Sequence, residues 1–308
     1  MPLVPEYQAM FDALAEEPGP AITDLTPEEA REMYRLMRPA NPDLSVGGVV
    51  DRAVPGPHGD IPIRIYSPEG EGPFPVLVNF HGGGWVFGDL DTADGVCRDI
   101  CNTANCVVVS VDYRMAPEHR FPVAVEDCYA ATCWVADNQV VINGSGRLAV
   151  GGESAGGNLA AVMCLKARDE AGPDIHFQLL LYPVVDADMT RQSYVDNAEG
   201  YLLETKTMHW FWDYYCPDET KRQDPLASPL RAASHANLPP ALVVTAEFDP
   251  LRDEGELYAA TLKAAGTEAQ AVRYDGLIHD FFATAQMFQA SRPGFEHACE
   301  TLAKHLAS

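Results

Sequence analysis

Apolar residues follow two different patterns along this chain. Residues 49–54 and 61–66 alternate apolar and polar side chains around the turn-forming run Pro-Gly-Pro-His-Gly-Asp, which is typical of a β-hairpin at a sheet edge. From residue 75 onward, short apolar runs alternate with segments of helical periodicity. The predicted strands are 76–80, 106–111, 147–151, 177–182, 241–246 and 270–274, and the predicted helices are 90–104, 122–137, 155–170, 252–265 and 294–306. Apolar strands separated by helices predict an α/β fold with a mostly parallel, eight-stranded sheet flanked by helices.

Two segments lie outside this alternation of strands and helices. The first 45 residues hold two short amphipathic helices, and a capping box at Thr26 opens the second. Residues 184–235 separate two predicted strands by far more chain than a simple crossover needs. Their apolar faces either pack on the body of the domain or cover the mouth of a pocket. We predict a single domain over residues 1–308, with a helical cap formed by about 1–45 and 184–235.

The sharpest turn is predicted between the strand at 147–151 and the helix at 155–170. It contains Gly152-x-Ser154-x-Gly156, in which the central residue is strained and the flanking small residues keep strand and helix from colliding. The turn lifts the Ser154 hydroxyl clear of the sheet, beside free N–H groups at the helix N-terminus. This pattern is the nucleophile elbow of hydrolytic enzymes, whereas an ordinary glycine-rich turn is the alternative for an isolated match.

A run of three glycines follows another predicted strand, in the stretch His-Gly-Gly-Gly-Trp at 81–85. Glycine lets the backbone approach a ligand closely and turn its N–H groups outward. The amides of Gly82 and Gly83, with that of Ala155, are candidates to hold a developing oxyanion. A phosphate cradle is less well supported, because no Gly-Lys-Ser/Thr run opens a helix after the glycines.

A reactive serine needs a base to take its proton and an acid to orient that base. Among the nine histidines, His279 lies just after the last predicted strand, at the edge of the sheet where loops gather. Asp249 follows the preceding strand, and Glu247 and Asp253 are its rivals for the acid. The order Ser154, Asp249, His279 matches the order of nucleophile, acid and base in hydrolases with such an elbow.

Several stretches, taken together, resemble one enzyme family. They are His-Gly-Gly-Gly-Trp at 81–85, Asp-Tyr-Arg-Met-Ala-Pro-Glu-His-Arg-Phe-Pro at 112–122, Gly-Glu-Ser-Ala-Gly-Gly at 152–157, and Phe-Asp-Pro-Leu-Arg-Asp-Glu at 248–254 with Ile-His-Asp-Phe at 278–281. In this order they resemble the hormone-sensitive lipase-like family, also called family IV, of α/β-hydrolase esterases. Glu153 stands where this family commonly has Asp or Thr.

The resemblance implies an α/β-hydrolase fold with a helical cap, and a serine carboxylesterase acting on short- to medium-chain acyl esters. It implies a catalytic triad of Ser154, Asp249 and His279 with an acyl-enzyme intermediate, and no metal or organic cofactor. By analogy with related enzymes it also admits a homodimer. Two alternatives stay open. One is an amide or formamide hydrolase on the same frame; the other is a non-catalytic ligand receptor, a class that tends to lack the base histidine.

Composition and charge exclude several classes of partner. The net charge of −24 opposes binding to nucleic acid or to an anionic membrane, because both are negatively charged. The N-terminus lacks the basic region and apolar core of a signal peptide. We therefore predict a cytoplasmic protein whose partner is a small-molecule ester. Eight cysteines without a Cys-x-x-Cys pair are predicted to be mostly small buried hydrophobes, rather than disulfides or metal ligands.

Two further stretches have both a structural and a functional interpretation. In the loop at 113–119, we predict that Arg114 and Glu118 pair with each other, in preference to a catalytic role for Glu118 and His119. The densest aromatic cluster, at 208–216, forms either part of the core or the lining of an acyl pocket.

Overall fold

A computed structural model of the chain, which describes residues 2–307, contains an eight-stranded sheet. Its strands are β1 (Gly48–Val54), β2 (Ile61–Ser67), β3 (Phe74–Phe80), β4 (Val107–Val111), β5 (Gly144–Glu153), β6 (Phe177–Leu181), β7 (Ala241–Phe248) and β8 (Ala269–Ile278). They lie in the order β1-β2-β4-β3-β5-β6-β7-β8. The strands from β3 to β8 are parallel, whereas β1 and β2 form an antiparallel hairpin at one edge. The predicted mostly parallel sheet is confirmed.

Helices cover both faces of this sheet. They are α1 (Pro5–Glu16), α2 (Pro27–Met37), α3 (Asp94–Ala104), α4 (Val123–Asp137), α5 (Ala155–Asp169), α6 (Gln192–Asp196), α7 (Thr205–Tyr215), α8 (Arg252–Ala264) and α9 (Arg292–Leu306). Successive side chains of a strand point to opposite faces, so Val76 and Val78 join the buried cluster of α4, α5 and α8. Leu77 joins the cluster of α3 and α9 on the other face. Burial on both faces explains the uninterrupted apolar sequence of the central strands.

Two predicted boundaries differ from the structure by four residues, and the local contacts give the reason. Helix α3 begins at Asp94 rather than near residue 90, because the Asp89 carboxylate accepts hydrogen bonds from nearby amides and folds the intervening chain into a turn. Strand β8 runs on to Ile278, because its end pairs again with Phe248 of β7 after a shift of register. This extension carries the residue after β8 to the end of the sheet where β5 also ends.

The cysteines behave as the sequence predicts. All eight lie within the described residues and are free, and all but Cys133 are buried. Burial raises the pKa of the Cys97 thiol to about 12, which keeps it neutral and unreactive. Between residues 2 and 307, no helix is long and apolar enough to cross a membrane.

Candidate active site

The turn between β5 and α5 places Ser154 at the end of the sheet. Ser154 has φ 56° and ψ −117°, a positive-φ conformation that is strained for a residue with a Cβ atom. A Cβ atom at Gly152 or Gly156 would lie 2.4 or 1.9 Å from the carbonyl oxygen of Phe80. Both positions therefore require glycine, which lets α5 begin directly against the backbone of β3.

Three side chains that are far apart in the sequence meet at this turn. His279 Nε2 lies 3.1 Å from Ser154 Oγ, and His279 Nδ1 lies 2.8 Å from Asp249 Oδ2. The other Asp249 oxygen accepts a hydrogen bond of 2.8 Å from the Leu251 amide, and the carboxylate is fully buried. These contacts fix the carboxylate behind the imidazole and the hydroxyl in front of it.

The two rivals of Asp249 have other partners. Glu247 accepts a hydrogen bond of 2.7 Å from a backbone amide of β8, and Asp253 accepts one of 2.8 Å from a backbone amide of α6. Within the range 2–307, the carboxylate hydrogen-bonded to the ring of His279 belongs to Asp249. The structure therefore brings together the three residues that the chain order singles out.

The surroundings of His279 favour its protonated form. Burial of the ring opposes protonation, but the Asp249 carboxylate, its hydrogen bond and the charges of Asp280 and Glu153 outweigh burial. Together they raise the pKa of His279 above its ordinary value. The ring is therefore a stronger base than a free imidazole, and it is neutral only at a pH above that raised pKa.

The glycine run after β3 lies beside the serine. Gly83 has φ 106° and Gly84 has φ 60°, and a Cβ atom at Gly84 would lie 2.1 Å from the ring of Phe211. In the part of the chain that the structure describes, no protein acceptor takes a hydrogen bond from the backbone amides of Gly82, Gly83 or Ala155. These N–H groups are therefore available to a ligand.

A cavity of about 100 Å³ lies above Ser154 and His279. Its apolar wall comes from the N-terminal segment, the loop after β3 and the insertion: Ile22, Met33, Tyr34, Met37, Phe87, Leu202, Leu203 and Phe211. Both segments that interrupt the alternation of strands and helices thus contribute side chains to this wall. Across residues 2–307, no cluster of three or more His, Cys, Asp or Glu side chains is placed to hold a metal ion.

The aromatic residues of α7 divide between the two predicted roles. Phe211 lines the cavity, whereas Trp212 and Tyr215 are buried in the core. The Tyr215 ring stacks on Trp85 with ring centroids 4.2 Å apart. Because Trp85 directly follows the three glycines, this stacking anchors α7 beside them. The core interpretation is confirmed for Trp212 and Tyr215, and an acyl-binding role of Phe211 stays a prediction.

The predicted ion pair between Arg114 and Glu118 is wrong. Arg114 pairs with the buried Asp127 at 2.7 Å, whereas Glu118 pairs with Arg31 of α2 at 2.6 Å. The Arg31 side chain also donates hydrogen bonds to two backbone carbonyl oxygens near the glycine run. Its hydrogen bond to Glu118 lowers the pKa of that carboxyl to about 2. The loop has a structural role, as predicted, but its ionic partners come from distant elements.

The sequence did not predict a charged group beside the serine. Arg38, which follows α2, forms ion pairs with Glu153 and Asp280. Tyr182 donates a hydrogen bond of 3.0 Å to the second carboxylate oxygen of Glu153. The sequence signal for this group was Glu153 itself, because it departs from the Asp or Thr that the family commonly has before the serine.

Comparisons with known proteins place the chain in a family. A family model described as the alpha/beta hydrolase fold matches residues 77–283. The carboxylic ester hydrolase LipN of Mycobacterium tuberculosis is 47% identical over 84% of this chain and 71% of the relative. An arylesterase of Saccharolobus solfataricus is 37% identical over 91% of this chain and 92% of the relative. The crystal structure of a thermostable esterase from Pseudomonas putida is 41% identical, with a TM-score of 0.94 over 99% of this chain and 98% of that one.

The region matched by the family model includes the glycine run, the turn at Ser154 and the histidine after β8. The named relatives are ester hydrolases, which confirms the predicted enzyme class and does not support the alternative of a non-catalytic receptor. The chain therefore belongs to the hormone-sensitive lipase-like family of α/β-hydrolases, and it is a carboxylesterase.

Proposed function

We propose that this carboxylesterase uses Ser154 as its nucleophile, His279 as its general base and Asp249 as the acid that orients the base. The observation that carries the proposal is the unbroken series of contacts from the Asp249 carboxylate, through both ring nitrogens of His279, to the Ser154 hydroxyl. This arrangement is the one by which acyl-transfer enzymes activate a serine hydroxyl for attack on a carbonyl carbon.

The first half of the reaction forms an acyl-enzyme. His279 Nε2 takes the hydroxyl proton as Ser154 Oγ attacks the ester carbonyl carbon, and Asp249 stabilises the resulting imidazolium through Nδ1–H. When the tetrahedral intermediate collapses, the bond from carbon to the alkoxy oxygen breaks. His279 then gives its proton to the leaving alcohol, and the acyl group stays on Ser154.

Water completes the cycle by the same steps. His279 takes a proton from the water, whose oxygen attacks the acyl-enzyme carbonyl, and the second tetrahedral intermediate releases the acid as the proton returns to Ser154 Oγ. The amides of Gly82, Gly83 and Ala155 hold the oxyanion in both halves. Each donor of this kind typically contributes about 3 kcal/mol of transition-state stabilisation.

The proposed substrates are short- to medium-chain acyl esters of small molecules. The wall above the serine is apolar, and its side chains from α2 and from residues 184–235 act as the cap of the active site. Arg38 also faces the cavity, but its charge is matched by Glu153 and Asp280. The cavity therefore offers an anionic substrate no unpaired cation from this group.

A series of p-nitrophenyl esters tests this substrate class and sizes the pocket. We expect kcat/KM to rise from acetate towards hexanoate by up to about fourfold per methylene, because each buried CH₂ contributes about 0.8 kcal/mol. It should then fall towards dodecanoate as the chain outgrows the cavity. Phe211→Ala should move the maximum to longer esters, since Phe211 forms part of the wall.

His209→Ala is the matched control, because His209 lies on the exposed face of the same helix. The chain-length profile of this variant should equal that of the wild-type enzyme. A wild-type maximum at dodecanoate would contradict a short- to medium-chain preference. The matched p-nitroanilides distinguish the amide hydrolase alternative: they should be cleaved far more slowly than the esters, and faster anilide cleavage would favour the amidase.

Two further features stay predictions from the sequence and from the family resemblance. One of them is a cytoplasmic location. A homodimer rests on analogy with related enzymes. A small-molecule ester as partner is supported by the ester hydrolase names of the relatives.

A further inference from the structure

The residue after α2 connects the N-terminal segment to both sides of the proposed triad. Arg38 Nη1 donates a hydrogen bond of 2.9 Å to Glu153 Oε1, and Arg38 Nη2 forms an ion pair with Asp280. Glu153 immediately precedes Ser154, and Asp280 immediately follows His279. One guanidinium thus bridges the neighbours of the nucleophile and of the base, although Glu153 ends β5 and Asp280 lies in the loop after β8.

The partners of Arg38 are themselves held in place. Tyr182 donates a hydrogen bond of 3.0 Å to the other oxygen of Glu153, and its ring makes an edge contact with His279 at 4.7 Å between centroids. Arg38 lies over the ring of Tyr34, 5.0 Å from its centroid. Its side chain is only 13% exposed, so the bridge lies out of bulk solvent and is weakly screened.

The backbone next to the base needs such support. Asp280 has φ 75°, a conformation that costs free energy for a residue other than glycine. Its carboxylate is drawn towards Arg38, which opposes relaxation of the peptide that follows His279. Without that ion pair, the strained residue is freer to rotate and to move the imidazole away from Ser154.

We propose that Arg38 is a positioning residue that locks the N-terminal segment onto the catalytic site and neutralises the two carboxylates beside the nucleophile and the base. The inference deepens the proposed function and rests on it. Arg38 acts through Glu153 and Asp280, and it is not required to touch the reacting atoms.

Charge makes the second part of this role necessary. Charged and titratable groups from several elements surround His279: Asp249 after β7, Asp280 in its own segment, Glu153 at the end of β5 and Tyr182 after β6. From the N-terminal segment, Arg38 binds Glu153 and Asp280, and Tyr34 packs against Arg38. Three of these groups are carboxylates, and Arg38 is the cation among them. Like charges this close oppose each other's ionisation.

The pKa shifts of Glu153 and Asp280 agree with a cluster in which Arg38 favours the ionised form of both carboxyls. Burial opposes ionisation of Glu153, but Arg38 and the hydrogen bond from Tyr182 outweigh it and lower the pKa of Glu153. Burial raises the pKa of Asp280, and repulsion from the Glu153 carboxylate raises it further. The attraction of Arg38 lowers this pKa but does not outweigh the other two effects. Arginine suits the position because its planar fork reaches two acceptors in different directions, which a lysine ammonium does less well.

The test compares pH–rate profiles of Arg38→Met, Arg38→Lys, Glu153→Gln and the control Arg35→Met. Arg35 lies one turn earlier, on α2, but pairs with Asp89 at the surface, with its side chain 56% exposed. The acid limb of kcat/KM reports the pKa of His279, because only the neutral ring accepts the proton. Loss of the Arg38 cation raises that pKa and moves the limb to higher pH, whereas loss of the Glu153 carboxylate lowers it and moves the limb to lower pH.

For Arg38→Met we expect an upward shift of about half a pH unit to one unit and a fall in kcat of about tenfold. Arg38→Lys keeps the charge, so its limb should stay in place while kcat falls several-fold. Arg35→Met should match the wild-type enzyme in both quantities. Circular dichroism and thermal melting, recorded for each variant, separate these effects from loss of folded protein.

A folded Arg38→Met variant with wild-type kcat and an unmoved acid limb would overturn the proposal. If Arg38→Met does not fold, the lysine and glutamine variants decide: a wild-type kcat for Arg38→Lys, or an unmoved or raised limb for Glu153→Gln, overturns it. Turnover that survives Ser154→Ala would instead mean that the proposed function has failed. If the Ser154→Ala variant is inactive and the Arg38→Met variant has the kinetics of the wild-type enzyme, the proposed function stands and only the role of Arg38 is refuted.

Discussion

Replacing Ser154 with alanine is expected to lower kcat for p-nitrophenyl butyrate by about ten-thousandfold or more. The variant has no hydroxyl to form the acyl-enzyme, so the rapid initial release of p-nitrophenol should also vanish. Alanine has the same Cβ atom as serine and meets the same strain at φ 56°, so the fold should persist. Stopped-flow absorbance measures kcat and the initial release of p-nitrophenol, and thermal melting of the same sample measures whether the fold persists.

Ser145→Ala is the matched control for this substitution. Ser145 lies at the opposite end of β5 and is exposed, so the variant should keep the wild-type kcat and the initial release. Near wild-type turnover in a folded Ser154→Ala variant would show that another group attacks the ester.

Replacing Asp249 with asparagine is expected to lower kcat by about a thousandfold to ten-thousandfold. The asparagine amide has nearly the same shape and can keep one contact, but it carries no charge to stabilise the imidazolium. It also permits the ring tautomer with the proton on Nε2, which leaves no acceptor facing Ser154. The loss should appear mainly in kcat, because Asp249 is buried behind the ring and lies away from the cavity wall.

The control for this change is Glu247→Gln at the rival carboxylate. Glu247 holds a backbone amide of β8 and makes no hydrogen bond to His279 in the described range. We expect its kcat to remain within about threefold of the wild-type value, as for a substitution near the surface. A larger loss for Glu247→Gln than for Asp249→Asn would reassign the acid.

The fold and the residues of the proposed triad could be predicted from the sequence for physical reasons. Central strands buried on both faces must be apolar throughout, and this makes them visible as short runs. Gly152 and Gly156 cannot carry a Cβ atom beside Phe80. The turn at Ser154 is therefore recognisable in the sequence as a glycine two residues to either side of the serine. Asp249 and His279 follow strands, and parallel strands bring their ends to one edge of the sheet.

The ion pairs were harder to predict from the sequence, because they form between side chains of elements that are far apart along the chain. Arg38 pairs with residues far along the chain, and nothing in its own neighbourhood distinguishes it from Arg35. Glu118 pairs with Arg31 rather than with the nearer Arg114. Sequence spacing favours the nearer partner, whereas the packing of α2 against the loop after β4 decides the pairing. Long-range geometry of this kind is set by the assembled fold.

The central claim is that Ser154 is the residue that becomes acylated. The most direct measurement is labelling with an aryl alkylphosphonate, followed by intact-mass and peptide mass spectrometry. We predict one phosphonyl group per chain, located on Ser154, with activity lost in proportion to labelling and no labelling of the Ser154→Ala variant. Full inactivation with the phosphonyl group on a different residue, or undiminished activity after stoichiometric labelling of Ser154, would contradict the account.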